Sequence, residues 1–421
     1  MFARYLIRRL HVSSEFRLRA GAQSMPRTLG DFHETVTTPP QHEGNRVRVA
    51  FIGDPNVGKS TIINRLVEKD ICSVSRKPHT TRESYDVALT TDELQMVLVD
   101  TPGAIHRIHA RKHRLPSEMV AAPGRALEND IDVLAAVIDA SDVYRREYLS
   151  LEMLKLLHQH RIEKPDGCSI LVLNKVDAVP NKRDLLGCIE SLCKGTVGNQ
   201  KLRKWEVKPD ISLKEKIWQA EERRRMKKAA NEDPIAEERS EDLERSSENP
   251  DEGTYKQRYP PRLETWTHFE RVFIVSATKN DGMDDLREYL SSRAQKGIWQ
   301  YRKEFIVKQD PTELAESIVK SKLLDHLDRE VPYLLVPRVM NWFLDDAGSL
   351  HIDMNIRCQT DRQVTTTLGR EGRIIAKISD ASRQQLCNVF GCEVVLKLFV
   401  LNVKSTKKPK SDDKRVAERS S

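Results

Sequence analysis

The sequence predicts an α/β protein in which a doubly wound, mostly parallel sheet is followed by a smaller α+β module. Short apolar segments alternate with longer stretches of helical spacing. Polar motifs follow most of these strands directly, and open parallel sheets bind their ligands at this carboxyl edge. Strands are predicted at 47–53, 94–100, 133–139, 169–175 and 271–277, with an antiparallel edge strand at 83–91 beside 94–100.

A phosphate-binding loop follows the first strand. The segment reads G-x-x-x-x-G-K-S and lies between that strand and a helical pattern at 60–70. Glycines let backbone N–H groups point at an anion, the lysine reaches the outer phosphates, and the serine can ligate Mg²⁺. The predicted nucleotide-binding residues are Gly53, Asp54, Pro55, Asn56, Val57, Gly58, Lys59, Ser60 and Thr61, with Lys59 also catalytic and Ser60 also a metal ligand.

Three shorter motifs, DTPG (100–103), NKVD (174–177) and SAT (276–278), follow later strands. Together they predict that the bound nucleotide carries guanine. In DTPG, Asp100 can hold Mg²⁺ through water and the Gly103 N–H can sense a γ-phosphate. In NKVD, the Asp177 carboxylate can accept two hydrogen bonds that guanine donates and adenine cannot. Each motif alone is weak evidence for such a site, whereas the whole set in this order is a specific indication of it. The nucleotide-binding residues predicted here are Asp100, Thr101, Pro102, Gly103, Asn174, Lys175, Asp177, Ser276, Ala277 and Thr278, with Asp100 also a metal ligand.

With SRKPHTTR (75–82) and SATKNDGMDDL (276–286), these motifs resemble the Era family of GTPases. The resemblance implies GTP/GDP and Mg²⁺ as cofactors. It also implies that Thr81, with Thr80 as the alternative, binds the metal and acts in catalysis together with Lys59 and Gly103. Ras-like proteins place a water-orienting glutamine after the DxxG glycine, where this chain has Ala104. We therefore expect slow intrinsic hydrolysis that depends on another group, a cation or a partner.

The region after residue 298 predicts the second module. A helical pattern (307–327), a hairpin (339–359), a G-x-x-G loop opening a helix (368–391) and a last strand (392–404) follow one another. A G-x-x-G turn can clamp about four nucleotides, although the motif alone is weak. The order, with Glu330, Pro332 and Tyr333, resembles the type II KH domain of Era. The implied RNA-binding residues are Gly369, Arg370, Glu371, Gly372, Arg373 and Lys377, of which the acid Glu371 departs from expectation.

The predicted domains are a disordered leader (1–44), a GTPase domain (45–298) with a charged insertion (197–264), a KH domain (299–405) and a basic tail (406–421). Through residue 30 the chain has six arginines, no lysine and one acid, which is typical of a mitochondrial transit peptide. A basic nucleic-acid-binding arm is the alternative. Residues 201–258 hold 15 Lys/Arg and 15 Asp/Glu, which predicts disorder.

The resemblance implies a switch protein that binds the 3′ region of small-subunit ribosomal RNA and acts in assembly of the mitochondrial small ribosomal subunit. We expect it in the mitochondrial matrix, and the net charge of +7 also suits the anionic inner-membrane surface. No run of 18 apolar residues occurs, so no membrane span is predicted. The alternatives are a non-hydrolysing RNA chaperone, which the intact phosphate motifs disfavour, and a tRNA-modification GTPase, a class that normally lacks a C-terminal KH domain.

Overall fold

The computed structural model describes residues 25–37, 42–75, 84–103, 130–202, 265–328 and 330–403. The strands of its N-terminal half are β1 (Glu43–Ile52), β2 (Tyr85–Thr90), β3 (Leu94–Asp100), β4 (Val133–Asp139), β5 (Cys168–Asn174), β6 (Thr196–Val197), β7 (Gln200–Lys201), β8 (Phe269–Ile274) and β9 (Gln295–Ile298). The helices along the chain are α1 (Leu29–Thr37), α2 (Lys59–Val67), α3 (Leu151–Glu163), α4 (Asp184–Cys193), α5 (Met283–Ser292), α6 (Pro311–His326), α7 (Val331–Leu334), α8 (Asp361–Leu368) and α9 (Arg373–Phe390).

The large sheet has the order β2-β3-β1-β4-β5-β8, with β9 added along the start of β1. Neighbours in this order are parallel, except that β2 runs antiparallel to β3, which confirms the predicted antiparallel edge strand. Alternate residues of β1 enter different cores: Val49 and Phe51 lie in one hydrophobic cluster, and Ala50 and Ile52 lie in the other. Burial on both faces explains why the parallel strands read as continuous apolar runs. The predicted doubly wound fold is confirmed.

The C-terminal half is a three-stranded sheet of β10 (Val336–Leu344), β11 (Leu350–Cys358) and β12 (Val394–Asn402). β10 and β11 form the predicted hairpin, and β12 runs parallel to β11. Alternate residues of β11, among them Ile352, Met354 and Ile356, are fully buried in the hydrophobic core that also takes in residues of α6 and α9. The order helix, hairpin, helix, G-x-x-G loop, helix and strand is consistent with the predicted type II KH domain.

The segment 299–308 connects the two halves and packs against the large sheet. The Ala88 N–H donates to the Ile306 carbonyl at 2.8 Å, and the Tyr301 hydroxyl donates to the carboxylate of Asp86. The Gln95 side chain accepts from the backbone N–H of Tyr301 at 3.0 Å. Although the sequence places the start of the second domain at 299, this segment is physically part of the GTPase half, and the C-terminal fold begins at α6.

Part of the predicted leader is folded. Residues 29–37 form α1, Met25 is 1 % exposed and Phe32 is 8 % exposed, while β1 already begins at Glu43. The prediction of disorder is wrong for these residues, because their apolar side chains are buried by tertiary contacts that composition does not reveal. Residues 1–24, most of the insertion (203–264) and the tail after 403 lie outside the described residues. Among the described helices, none is both long and apolar enough to cross a membrane.

Candidate functional site

The phosphate-binding loop turns sharply between β1 and α2. Gly58 has φ +98°, and a Cβ there would lie 2.3 Å from Nδ2 of Asn174, so only glycine fits. Helix α2 begins at Lys59 without a side-chain cap on its first N–H groups. An uncapped helix N-terminus behind a glycine loop is a binding site for anions. The loop therefore fits the phosphate chain of a nucleotide.

Lys59 extends back across this loop. Its Nζ donates to the carbonyl oxygens of Gly53 at 3.0 Å and Asp54 at 3.1 Å. Burial lowers the pKa of Lys59 to about 8, and the carboxylates of Asp100 and Asp54 only partly oppose this effect. Phosphate oxygens at the same place would supply the negative charge that favours the protonated form. Lys59 thus lies where an outer phosphate would need it.

The end of β3 forms a corner of oxygen ligands. Asp100 is fully buried, and its Oδ2 accepts a hydrogen bond from the Ser60 hydroxyl at 2.6 Å. The Tyr85 hydroxyl donates to the same oxygen at 3.2 Å, and burial raises the pKa of Tyr85 so that it stays a donor. A hydroxyl and a carboxylate at this spacing suit Mg²⁺, a hard cation that prefers oxygen. Thr81, the third predicted ligand, lies outside the described residues.

The DTPG segment lies directly against the phosphate loop. The Thr101 hydroxyl donates to the Phe51 carbonyl at 2.6 Å, which fixes the segment on β1. A Cβ at Gly103 would lie 2.6 Å from the backbone nitrogen of Pro55, so this glycine permits the close approach. A γ-phosphate in the loop would therefore be near the Gly103 N–H. Ala104 lies outside the described residues.

The side chain of Asn174 joins the phosphate loop to the last motif. Its Nδ2 donates to the Val57 carbonyl at 2.9 Å, and its Oδ1 accepts from the Ala277 N–H at 3.1 Å. The Ser276 hydroxyl donates to Oδ1 of Asp177 at 2.6 Å. Asp177 is exposed, so its carboxylate can also face a base from solvent. The structure thus brings the predicted phosphate and base motifs to one edge of the sheet.

One contact of this site was missed by the sequence prediction. The Lys175 ammonium donates to Oδ2 of Asp139 at 2.6 Å, and Lys175 adopts a left-handed backbone conformation with φ +60°. Asp139 is the last residue of β4, the strand for which no motif was predicted. Its position, an acidic residue at the end of a strand on the ligand-binding edge of a parallel sheet, could have indicated this role. Asp139 thus positions the side chain of Lys175, one of the predicted nucleotide-binding residues.

The G-x-x-G loop joins α8 to α9. Gly369, Glu371 and Gly372 have φ of +70°, +56° and +74°. A Cβ at Gly369 would lie 2.5 Å from Ile374 Cγ1, whereas one at Gly372 would contact only Ile375, at 3.9 Å. Gly372 therefore faces open space, as a position that phosphate approaches must.

The charges of this loop are partly paired. The Glu371 carboxylate accepts from the guanidinium of Arg373 at 2.9 Å. This pairing removes part of the repulsion that Glu371 would exert on phosphate, and it also engages the positive charge of Arg373. Arg370 and Lys377 are exposed on the loop and on the first turns of α9. They are two of the predicted RNA-binding cations, and both are accessible to solvent.

The chain matches known proteins over most of its length. A family model described as 50S ribosome-binding GTPase matches residues 48–175. "GTPase Era, mitochondrial" of Danio rerio is 31% identical over 376 residues, covering 89% of this chain and 79% of the relative. The protein of the same name from Salmo salar is 32% identical over 385 residues, with coverages of 90% and 81%.

Solved structures agree at the level of the fold. A crystal structure of Era in complex with MgGDPNP and nucleotides 1506–1542 of 16S ribosomal RNA aligns with a TM-score of 0.57 at 20% identity, covering 86% of this chain and 96% of that one. A variant of Aquifex aeolicus Era bound to GDP·AlF4⁻ gives the same TM-score at 21% identity, with coverages of 85% and 93%. Since identity above 30% extends over both halves of the chain, the protein belongs to the Era family of GTPases.

Proposed function

We propose that this GTPase is a nucleotide-controlled RNA-binding switch that binds the 3′ region of small-subunit ribosomal RNA and acts in assembly of the mitochondrial small ribosomal subunit. The GTP site is proposed to comprise the predicted residues of the four strand-end motifs, with Ser60, Asp100 and Thr81 holding Mg²⁺. The RNA site is proposed to comprise Gly369, Arg370, Glu371, Gly372, Arg373 and Lys377. A matrix location, with contact to the anionic inner-membrane surface, completes the proposal.

One observation supports the proposal: in the described residues, a phosphate loop joined to the base motifs and an open G-x-x-G loop occur in the same chain. Lys59, Ser60 and Asp100 are in mutual reach at the phosphate end, which an inactive remnant would not need. Era in complex with 16S ribosomal RNA has the same fold. The relatives from two fishes carry the mitochondrial name, which supports the location.

The nucleotide site has a direct route to the C-terminal module. The segment 75–82 lies where the resemblance to Era implies the first switch. The hydroxyl of its first residue, Ser75, donates to Oδ1 of Asp325 in α6 at 2.7 Å. Two residues earlier, the hydroxyls of Ser73 and Ser317 are hydrogen-bonded at 3.0 Å. We propose that the nucleotide state reaches the RNA loop through these α6 contacts, because the predicted switch threonines follow directly in the chain.

The test is crosslinking of the protein to RNA in cells, followed by sequencing of the bound RNA. Enrichment of the 3′ end of mitochondrial small-subunit rRNA is expected. Enrichment of tRNA would instead support a tRNA-modification GTPase and would overturn the proposal. In parallel, GTP turnover of the purified chain is measured with and without that rRNA fragment, using a fragment of equal length from elsewhere in the same rRNA as the control. Undetectable turnover with both fragments would favour the non-hydrolysing chaperone.

A further inference from the structure

We infer that residues 25–37, here called the brace, are a permanent part of the folded protein that fixes the C-terminal module on the GTPase half. The removable part of the leader would then end before Met25. The inference rests on the proposed mitochondrial location only where it concerns removal of the leader. The contacts of the brace are independent of that location.

The first end of the brace is bound to the C-terminal module. The backbone N–H of Met25 donates to the carbonyl of Val389, near the end of α9, at 3.0 Å. The indole N–H of Trp342 donates to the Arg27 carbonyl at 2.8 Å. With Met25 only 1 % exposed, this end combines directional hydrogen bonds with apolar burial. An unbound leader would make neither.

A third contact points to the same place. The Arg27 guanidinium donates to the carbonyl of Gly391, which caps the carboxyl end of α9, at 3.3 Å. A cation at the end of a helix opposes the partial negative charge of its last carbonyls. The indole of Trp342, which donates to the Arg27 carbonyl, also packs edge to face on the ring of Phe390, with centroids 5.4 Å apart. The brace therefore covers the end of α9 and the adjoining strand β10.

The second end reaches the GTPase half. Phe32, 8 % exposed, belongs to the hydrophobic cluster shared by both halves. Val36 packs against that cluster and against a second one, which contains Ala88 of β2 and Tyr301 of the connecting segment. The brace thus extends from the C-terminal module, which Met25 and Arg27 contact, to the edge of the large sheet, which Val36 contacts.

The brace supplements contacts elsewhere between the halves. On α9, the Gln385 amide donates to the Asp70 carbonyl at 2.8 Å. On α6, the hydroxyl of Ser317 is hydrogen-bonded to that of Ser73. Together with the Ser75–Asp325 hydrogen bond, these contacts all come from residues 70–75 of the GTPase half. The brace adds an attachment from a separate segment of the chain and so restricts movement of the module about that stretch. Loss of the brace should therefore loosen the module without unfolding either half.

Hydrogen exchange of the full chain, measured by mass spectrometry, tests the docking. A nine-residue helix is not stable on its own in water, so slow exchange in 25–37 can only report burial against the rest of the protein. We expect exchange slowed on the order of tenfold or more relative to an isolated peptide of the same sequence. Exchange as fast as in that peptide would overturn the brace.

Two matched variants localise the effect. Phe32→Asp should abolish the slow exchange of 25–37, whereas Leu29→Asp, which introduces the same charge at an exposed position of α1, should retain it. Trp342→Phe keeps an aromatic ring and removes the indole donor, so a partial increase in exchange is expected. GTP binding by each variant, measured in the same samples, verifies that the GTPase half is folded. Equal exchange in the two aspartate variants would contradict the contacts of Phe32.

The N-terminus of the protein recovered from mitochondria after import tests the retained segment. Sequencing should find a first residue at or before Met25. A first residue after Met25 in the mature, GTP-binding protein would overturn the inference. Absence of import would contradict the proposed location and leave the exchange result to decide the brace, so the two failures are distinguishable.

Discussion

The two predicted phosphate-binding sites, the nucleotide edge and the G-x-x-G loop, are built in opposite ways. At the nucleotide edge, the side chains of Asn174, Asp100 and Ser276 are almost completely buried and hydrogen-bonded to residues between 40 and 117 positions away in the chain. At the loop, Arg370, Glu371 and Arg373 are exposed, and the ion pair joins residues only two positions apart. Buried groups that are held by hydrogen bonds can select one ligand, whereas exposed charges make contacts that are weakened by salt.

The largest effect is expected at Asp177, the carboxylate predicted to bind the base. Asp177→Asn should change the ratio of GTP to XTP affinity on the order of 100- to 1,000-fold, because the amide donates where the carboxylate accepted. The Ser276 hydroxyl can still donate to the amide oxygen, so the loop should keep its shape. Both affinities are measured by titration, with Asp166→Asn in an exposed turn as the control. An unchanged ratio would remove Asp177 from base recognition.

A smaller loss is expected when the link between the two ends of the nucleotide site is cut. Asn174→Ala leaves the Val57 carbonyl and the Ala277 N–H without this partner. Losing two buried hydrogen bonds should weaken GTP binding on the order of 100-fold. Asn388→Ala, an exposed amide on α9, is the matched control. GTP affinity in the Asn174 variant equal to that of the control would show that the motifs act separately.

The exposed loop should respond more weakly and in a salt-dependent manner. Gly372→Asp adds a negative charge in open space and should lower RNA affinity on the order of tenfold at low salt. Gly372→Asn imposes the same left-handed backbone without the charge, so the difference between the two variants isolates electrostatics. RNA retention on filters is measured at two salt concentrations. If the variants bind alike at low salt, the loop does not approach phosphate at Gly372.

The smallest expected effect is a fall in GTP affinity at high pH, which follows from the burial of Lys59. Lys59 is protonated below its pKa of about 8 and loses its charge as the pH rises through that value. Bound phosphate favours the charged form, so binding takes up a proton above this pH and affinity falls. From about pH 7 to about pH 8.5 the loss should be about fourfold, the ratio of the protonated fractions. Calorimetry near pH 8 in buffers of different ionisation enthalpy checks the sign, and proton release would contradict it.

The two regions also differ in how much the sequence revealed. The nucleotide residues lie in short motifs at strand ends, so local pattern and sheet topology were enough to predict that they meet. For the loop, the sequence indicated the G-x-x-G turn, but the structure showed that Gly369 is packed on Ile374 while Gly372 is open. It also showed that Arg373 is engaged by Glu371. Side-chain surroundings of this kind depend on packing, which a motif does not encode.

By itself, the sequence determined the doubly wound sheet, the phosphate and base motifs and the order of elements in the second module. These features follow from periodicity and from residues close together in the chain. Only the tertiary structure decided that Asp139 pairs with Lys175 and that the segment 299–308 belongs to the GTPase half. It also decided that residues 25–37 join the two halves. Arg27 and Gly391 are 364 positions apart, and such contacts form only when the hydrophobic clusters of both halves assemble.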